Sequence, residues 1–305
     1  MENTTMENTR TKTTRNSLIL LLTAAIWGMA FVSQSKGMDY MHPFTFNGVR
    51  SLIGAASILV YILISRKIAG DKAAPLDWKL NVKAGLLCGI FLTIASTLQQ
   101  FGIKYTSVGK AGFITTLYII FVPMFGIFLK KKVAPVVWAA AVMAAVGMYL
   151  LCMTESLRLG AGDIMVFLCA IAFAIQIMTV DHYAARIDGA VVSCIQFTVC
   201  GVVCCIGALI WGQPTFGQLQ EGLGALLYAG VLSCGVGYTL QIVGQKGLNP
   251  TVAALIMSLE SVIATISGWI AYKIGFLTTD QTLTARQIAC LLYTSPSPRD
   301  AHESR

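Results

Sequence analysis

TLQQFGIKYTSVGKAGFITTLYIIFV, residues 97–122, aligns without a gap on TLQIVGQKGLNPTVAALIMSLESVIA, residues 239–264, at an offset of 142. Eight of the 26 positions are identical, and the polar ones share a single register: Thr97 with Thr239, Gln99 with Gln241, Lys104 with Lys246. Apolar stretches match one another by chance, so the polar identities carry the argument. At an offset of 146 the first apolar segment falls on the sixth, which sets Trp27 against Phe173 and Arg50 against Gln196. The chain therefore reads as two copies of one unit, with five apolar segments in each period.

Those segments are long enough to cross a bilayer. A hydrocarbon core about 30 Å thick needs about 20 mostly apolar residues per helix, and nine stretches qualify: 17–33, 43–65, 84–103, 111–129, 134–153, 162–180, 190–211, 222–243 and 251–273. Of the 305 residues 56% are hydrophobic and 12% charged, against about a quarter charged in a soluble domain. A chain of this length could bury a large core in water, but it lacks the charged skin to cover it. The solvent of most of its surface is lipid. An odd number of spans between the copies inverts the second relative to the first, an arrangement used by secondary transporters for alternating access to a site near the midplane.

The formal charge of +8 comes from residues lying between the apolar segments, not from a patch or stripe, which speaks against a nucleic-acid partner. With a cytoplasmic N-terminus, thirteen of the basic residues fall in inside loops and six in outside loops, the bias expected for this orientation in an inner membrane. The nine cysteines lie almost entirely in apolar runs, in no zinc-like spacing, and read as small hydrophobes, so no metal or other cofactor is expected. From Cys290 the letters CLLYTSPSPRD back-translate to a transposase-type sequencing adapter, and AHESR fits its continuation. Native sequence is therefore expected to stop near Ala289, and residues 290–305 carry no functional weight.

AAIWGMAF in the first segment, FNGVR in the second, LQQFGIKYTSVGKAGFITTLYIIFVP across the third and fourth, and AALIMSLESVIA in the ninth resemble the EamA-type transporters of the drug/metabolite transporter superfamily. The resemblance implies an all-α polytopic membrane protein of ten helices in two inverted five-helix repeats, with both termini cytoplasmic and a central cavity between the halves. The expected divisions are a tail at 1–16, a first repeat at 17–153 and a second at 162–289 with four helices present, the tenth being replaced by adapter. Ser261 stands where the family usually has Pro after the Glu, and is expected to straighten the ninth helix locally.

Several polar residues lie at membrane depth, where they must find protein or water. Glu260, about ten residues into the ninth span, reads as a substrate or proton site, against a structural bond to a neighbouring helix end. Its repeat mate is Tyr118, so a carboxylate and a phenol are expected to approach the cavity from opposite sides near the pseudo-two-fold axis. Arg50 is assigned to gating or to pairing with a carboxylate, against snorkelling toward the headgroups. Trp27, Gln100 and Tyr118 are expected to line the cavity, with Gln176 and Gln241 as further substrate-binding amides; the simpler alternative is interhelical hydrogen bonding. Asp163 and Asp181 read as solvated caps.

No Walker loop, nucleophile elbow or His/Glu metal pair is present in the sequence, so an enzyme is not expected and energy must come from a gradient. The expected activity is secondary transport of a small metabolite, by proton exchange or downgradient flow, with export of amino-acid-like or related compounds as the expected direction and cargo. The rivals are a membrane scaffold, an intramembrane enzyme and a metal-ion carrier; two inverted copies are not called for by scaffolding. The orientation has a direct check: single cysteines placed beside Lys130–Lys132 should react with impermeant thiol reagents only from the cytoplasmic side, and one beside Arg158 only from outside. The opposite pattern would overturn it.

Overall fold

The computed structural model describes residues 2–70, 75–129, 135–152, 160–278 and 280–283. They form nine long helices: α1 Glu2–Gly37, α2 Pro43–Ala69, α3 Trp78–Ile103, α4 Val108–Phe128, α5 Pro135–Cys152, α6 Ala161–Tyr183, α7 Gly189–Gly212, α8 Leu223–Gln245 and α9 Pro250–Lys273. By length and composition α1–α4 and α6–α9 are each able to cross a bilayer. The adapter-like segment 290–305 lies outside the described residues.

The loops obey ordinary capping rules. His42, Asp77, Ser107, Asp188 and Asn249 each accept a backbone N–H of the helix that follows, satisfying donors left free in a first turn. Pro43 and Pro250 occupy first-turn positions, where a missing N–H costs nothing. Helix α1 starts well before the expected residue 17, because nothing between Glu2 and Asn16 is a Gly or Pro that would stop it. Asn16 already belongs to the packed bundle: it is buried, and its Nδ2 donates to the Lys246 carbonyl at 2.7 Å.

Apart from those of α5, the main contacts between the described helices pair as a two-fold object would require, each having a mate in the other half. Helix α3 packs on α6 and α8 on α1; α4 packs on α6 and α9 on α1; α3 packs on α7 and α8 on α2. The self-related pairs α2 with α7 and α4 with α9 also touch. Loop-end contacts respect sidedness. Lys110 and Asp163, both expected outside, form an ion pair of 2.6 Å, while Asn16, Ile187 and Lys246, all expected inside, are joined by hydrogen bonds.

Small residues let these helices approach. A Cβ on Gly102 of α3 would run into Val166 of α6 and lie 2.8 Å from the Gly162 carbonyl oxygen; on Gly244 of α8, the residue equivalent to Gly102, it would lie 2.8 Å from the Leu20 side chain. Val166 and Leu20 are themselves equivalent at the offset of 146, so one close approach is built twice. With little hydrophobic drive between helices in lipid, such contacts carry much of the association.

The turn ahead of the expected site is also built twice. In α4 the Leu117 N–H bonds the Ile114 carbonyl at 3.2 Å; in α9 the Leu259 N–H bonds the Ile256 carbonyl at 3.3 Å. Both are i→i−3 bonds that tighten the helix. Ser261 therefore does not straighten α9 as its replacement of a Pro suggested. Its N–H (3.1 Å) and its hydroxyl (2.9 Å) both donate to the Ser258 carbonyl, which holds the tight turn without a proline.

Overpacking a close contact costs about 1–3 kcal/mol. Gly102→Ala meets a fixed backbone carbonyl and should lose about 2 kcal/mol of stability, whereas Gly244→Ala meets only a movable leucine end and should lose about 1 kcal/mol or less. Thermal unfolding of the two variants in detergent checks the order.

Candidate functional site

A cavity lies between the two halves, lined by twenty residues and leaving about 40 Å³ for the centres of water molecules. That is room for roughly three waters, so in this conformation a metabolite would fit only after the helices move. Sixteen of the twenty lining residues form eight repeat-related pairs. At the offset of 146 these are Trp27 with Phe173, Ala30 with Gln176, Phe31 with Ile177 and Ser51 with Phe197; at 142, Leu92 with Cys234, Ser96 with Tyr238, Gln99 with Gln241 and Tyr118 with Glu260. Residues and their two-fold mates face one small volume only if the axis passes through it. The four lining residues whose mates do not line it, Gln34, Arg50, Thr115 and Ser233, are all polar. The cavity is thus symmetric in outline, with part of its polarity supplied by residues without a mate at the wall, Gln34, Arg50 and Thr115 from the first half and Ser233 from the second.

Tyr118 and Glu260 are in direct contact: the Tyr118 hydroxyl donates to Glu260 Oε1 at 3.0 Å, with both residues buried. Each follows directly on the tight turn at Leu117 or Leu259, which aims the equivalent positions of α4 and α9 at each other. The expectation that they approach from opposite sides near the axis holds in its strongest form, since they touch. Neither of the two ion pairs formed among the described residues includes Glu260.

Aromatic rings make the adjoining wall. The centroids of Trp27 and Tyr238 are 4.6 Å apart, and Phe197 stands edge-on to Tyr238 at 4.9 Å. Trp27 Nε1 donates to the Ser233 carbonyl at 3.4 Å. That carbonyl also accepts the Tyr238 N–H, five residues on, within a π-helical stretch of α8 from Tyr228 to Gly237; wide turns of this kind are frequent at functional sites. The amides form a third group. Gln241 Nε2 donates to Gln176 Oε1 at 3.3 Å, and Gln99 Nε2 donates to the Thr115 hydroxyl at 3.2 Å. All four residues line the cavity.

Two expected assignments are corrected. Gln100 does not line the cavity: it is fully buried and donates through Nε2 to the Gln34 carbonyl of α1 at 3.2 Å. Adjacent residues on an α-helix point about 100° apart, and Gln99 is the one that faces the cavity. Arg50 lines the cavity but pairs with no carboxylate among the described residues; its Nε donates to Asn47 Oδ1 at 2.8 Å and its guanidinium lies 5.4 Å from the centre of the Phe46 ring. Nor does it snorkel, being 5% exposed.

Asp163, read as a solvated cap, is instead buried, and accepts bonds from Lys110, Thr106 and the Gly160 N–H. Residues not singled out from sequence are Gln34, Ser51, Ser96, Thr115 and Ser233. The repeat alignment could have found Ser96 through its mate Tyr238; Ser233, which meets Trp27 through its backbone, left no side-chain signal. Among the described residues no group of three His, Cys, Asp or Glu side chains gathers as metal ligands would.

The two neighbouring amides of α3 are separable by experiment. Each makes a buried interhelical bond, so Gln99→Ala and Gln100→Ala should each cost about 1 kcal/mol of stability, but only Gln99→Ala should alter flux. Parallel transport and thermal-unfolding assays measure both effects, and an equal effect of the two on flux would contradict the assignment.

The chain matches the profile of the EamA-like transporter family twice, over residues 15–153 and 160–285. An uncharacterized transporter of Archaeoglobus fulgidus is 30% identical over 171 residues, which span 54% of this chain and 48% of that protein, about half its length. The uncharacterized transporter YwfM of Bacillus subtilis is 27% identical over 256 residues, covering 83% of this chain and 84% of its own. An uncharacterized transporter of Clostridium kluyveri is 24% identical over 264 residues, covering 82% and 83%. A crystal structure of another protein shares the fold, with a TM-score of 0.69 at 17% identity over 92% of this chain and 94% of that one. The doubled profile match, on a helical chain whose cavity sits between two repeat-related halves, places this multi-pass membrane protein in the EamA-like transporter family.

Proposed function

We propose that the protein is a secondary carrier that exports a small, amino-acid-like metabolite across the inner membrane, in exchange for protons or down the metabolite's gradient, with its N-terminus in the cytoplasm. Two inverted repeats, 17–153 and 162–289, rock about the axis that passes between Tyr118 and Glu260. The observation that carries this reading is the contact of those two residues inside a cavity lined by repeat-related pairs. Trp27, Tyr118, Gln176, Gln241 and Glu260 contact the substrate in the open states, with Gln99 taking the place of Gln100.

Glu260 supplies the exchangeable proton. A buried carboxylate whose bonded partner is a neutral hydroxyl keeps its charge only at a high desolvation cost, so binding a proton or a cationic group is favourable there. The Tyr118 hydroxyl can donate to the ionised carboxylate or turn toward a substrate, a movement that needs no backbone change. Binding of the substrate's ammonium and binding of a proton then compete for one oxygen pair, which is the minimum requirement for exchange.

Glu260→Gln keeps the shape and the acceptor for Tyr118 but removes the titrating group. In proteoliposomes with an imposed pH gradient and a pool of radiolabelled amino acids, this variant should lose at least about 90% of gradient-driven flux while unfolding within about 0.5 kcal/mol of the parent. If the carboxylate were only a structural bond, Gln would transport almost normally and Glu260→Ala would lose folded protein. Normal pH-dependent flux through a well-folded Gln variant would end the proton-exchange reading.

A further inference from the structure

Arg50 is the one cationic residue lining the cavity, and its repeat mate Gln196 is neutral and does not line it. The arginine is 5% exposed. Asn47 Oδ1 takes its Nε–H at 2.8 Å, and the ring of Phe46 lies beside the guanidinium. Among the described residues the terminal nitrogens of the fork have no acceptor, and Arg50 enters neither ion pair. The one described carboxylate in the same cavity, Glu260, is held by Tyr118 instead.

A buried guanidinium without a counter-charge is strongly disfavoured, and a residue that served only to stabilise packing would be neutral here, as Gln196 is. Asn47 and Phe46 fix the side chain through Nε and through its flat face, which leaves the two terminal nitrogens for a planar, two-oxygen partner. We infer that Arg50 receives the carboxylate of the transported ligand, an unpaired guanidinium facing the shared cavity from α2 while Tyr118 and Glu260 wait for the ligand's ammonium. This rests on the cavity being the transport site.

The charges also choose among anions. One carboxylate balances one guanidinium, whereas a phosphate dianion would leave excess negative charge in the cavity with Glu260. A zwitterion satisfies both protein charges together, and a simple amine satisfies only Glu260. The specificity expected is therefore for a free carboxylate, with the aromatic wall of Trp27, Tyr238 and Phe197 left to meet an apolar side chain.

Ligand-dependent thermal unfolding of the purified protein tests this without any flux or proton gradient, so a failed exchange mechanism would not disturb it. The probes are L-leucine, 4-methylpentanoate and L-leucinamide, which share one carbon skeleton and differ in charge. At one common concentration, leucine should raise the unfolding midpoint by about 2 °C or more, 4-methylpentanoate should give a rise that depends on Arg50, and leucinamide, which meets Glu260 alone, should raise it by less than leucine does. Arg50→Gln should erase the carboxylate-dependent rise. Should that variant fail to fold, Arg50→Lys retains the charge without the fork and should weaken leucine binding by at least about threefold. Equal stabilisation by leucinamide, an unchanged rise in Arg50→Gln, unweakened binding in Arg50→Lys, or no rise with any of the three compounds would each overturn the assignment.

Discussion

A single hydrogen bond, from the Tyr118 hydroxyl to Glu260 Oε1, joins positions that are equivalent in the two halves. Related positions can meet only beside the axis relating them, so this bond locates the axis between the two halves. Its formation depends on the tight turns at Leu117 and Leu259, which present the two side chains at the same depth. The paired contacts between helices, the doubled glycine approaches and the composition of the cavity wall all follow from the same symmetry.

Hydrocarbon sets the second constraint. Polar groups in the middle of the bundle turn to neighbouring helices: Gln100 to a carbonyl of α1, Gln241 to Gln176, and Trp27 to the Ser233 carbonyl in the wide stretch of α8. Unpartnered amide atoms remain on Gln34, Gln176 and Gln241 at the cavity and on Gln196 and Gln245 away from it, and the two ionisable side chains of the wall, Glu260 and Arg50, have no ion-pair partner among the described residues. A site of this kind appears where burial without a partner has been tolerated, and the tolerance is what a binding function requires.

Much of this was legible in the sequence, for identifiable reasons. Nine apolar stretches give nine helices because lipid leaves the backbone no alternative to bonding within itself. The polar identities at the offset of 142 give the register that pairs Tyr118 with Glu260, and the offset of 146 pairs Trp27 with Phe173. Which of two adjacent glutamines faces inward was not legible, because apolar residues surround a membrane helix on every side and the amphipathic pattern that would orient it is weak. The proline-free turn at Ser258–Ser261 is likewise not legible in the sequence. A motif rule predicts an effect of a missing proline, but not a hydroxyl that takes over its role.

The π-helical stretch of α8 makes the two halves unequal in how they bear a change of length. Between Tyr228 and Gly237 the backbone carries slack that its counterpart α3, an unbroken α-helix from Trp78 to Ile103, does not have. Deleting one residue there would let the stretch close toward regular winding with Tyr238, Gln241 and Lys246 left in their places. Deleting one residue from the regular winding of α3 ahead of Gln99 would instead turn everything beyond it by about 100° and take Gln99 out of the cavity wall, although no side chain had been altered. A length change that one half can absorb would, in the other, decide which residues are wall at all.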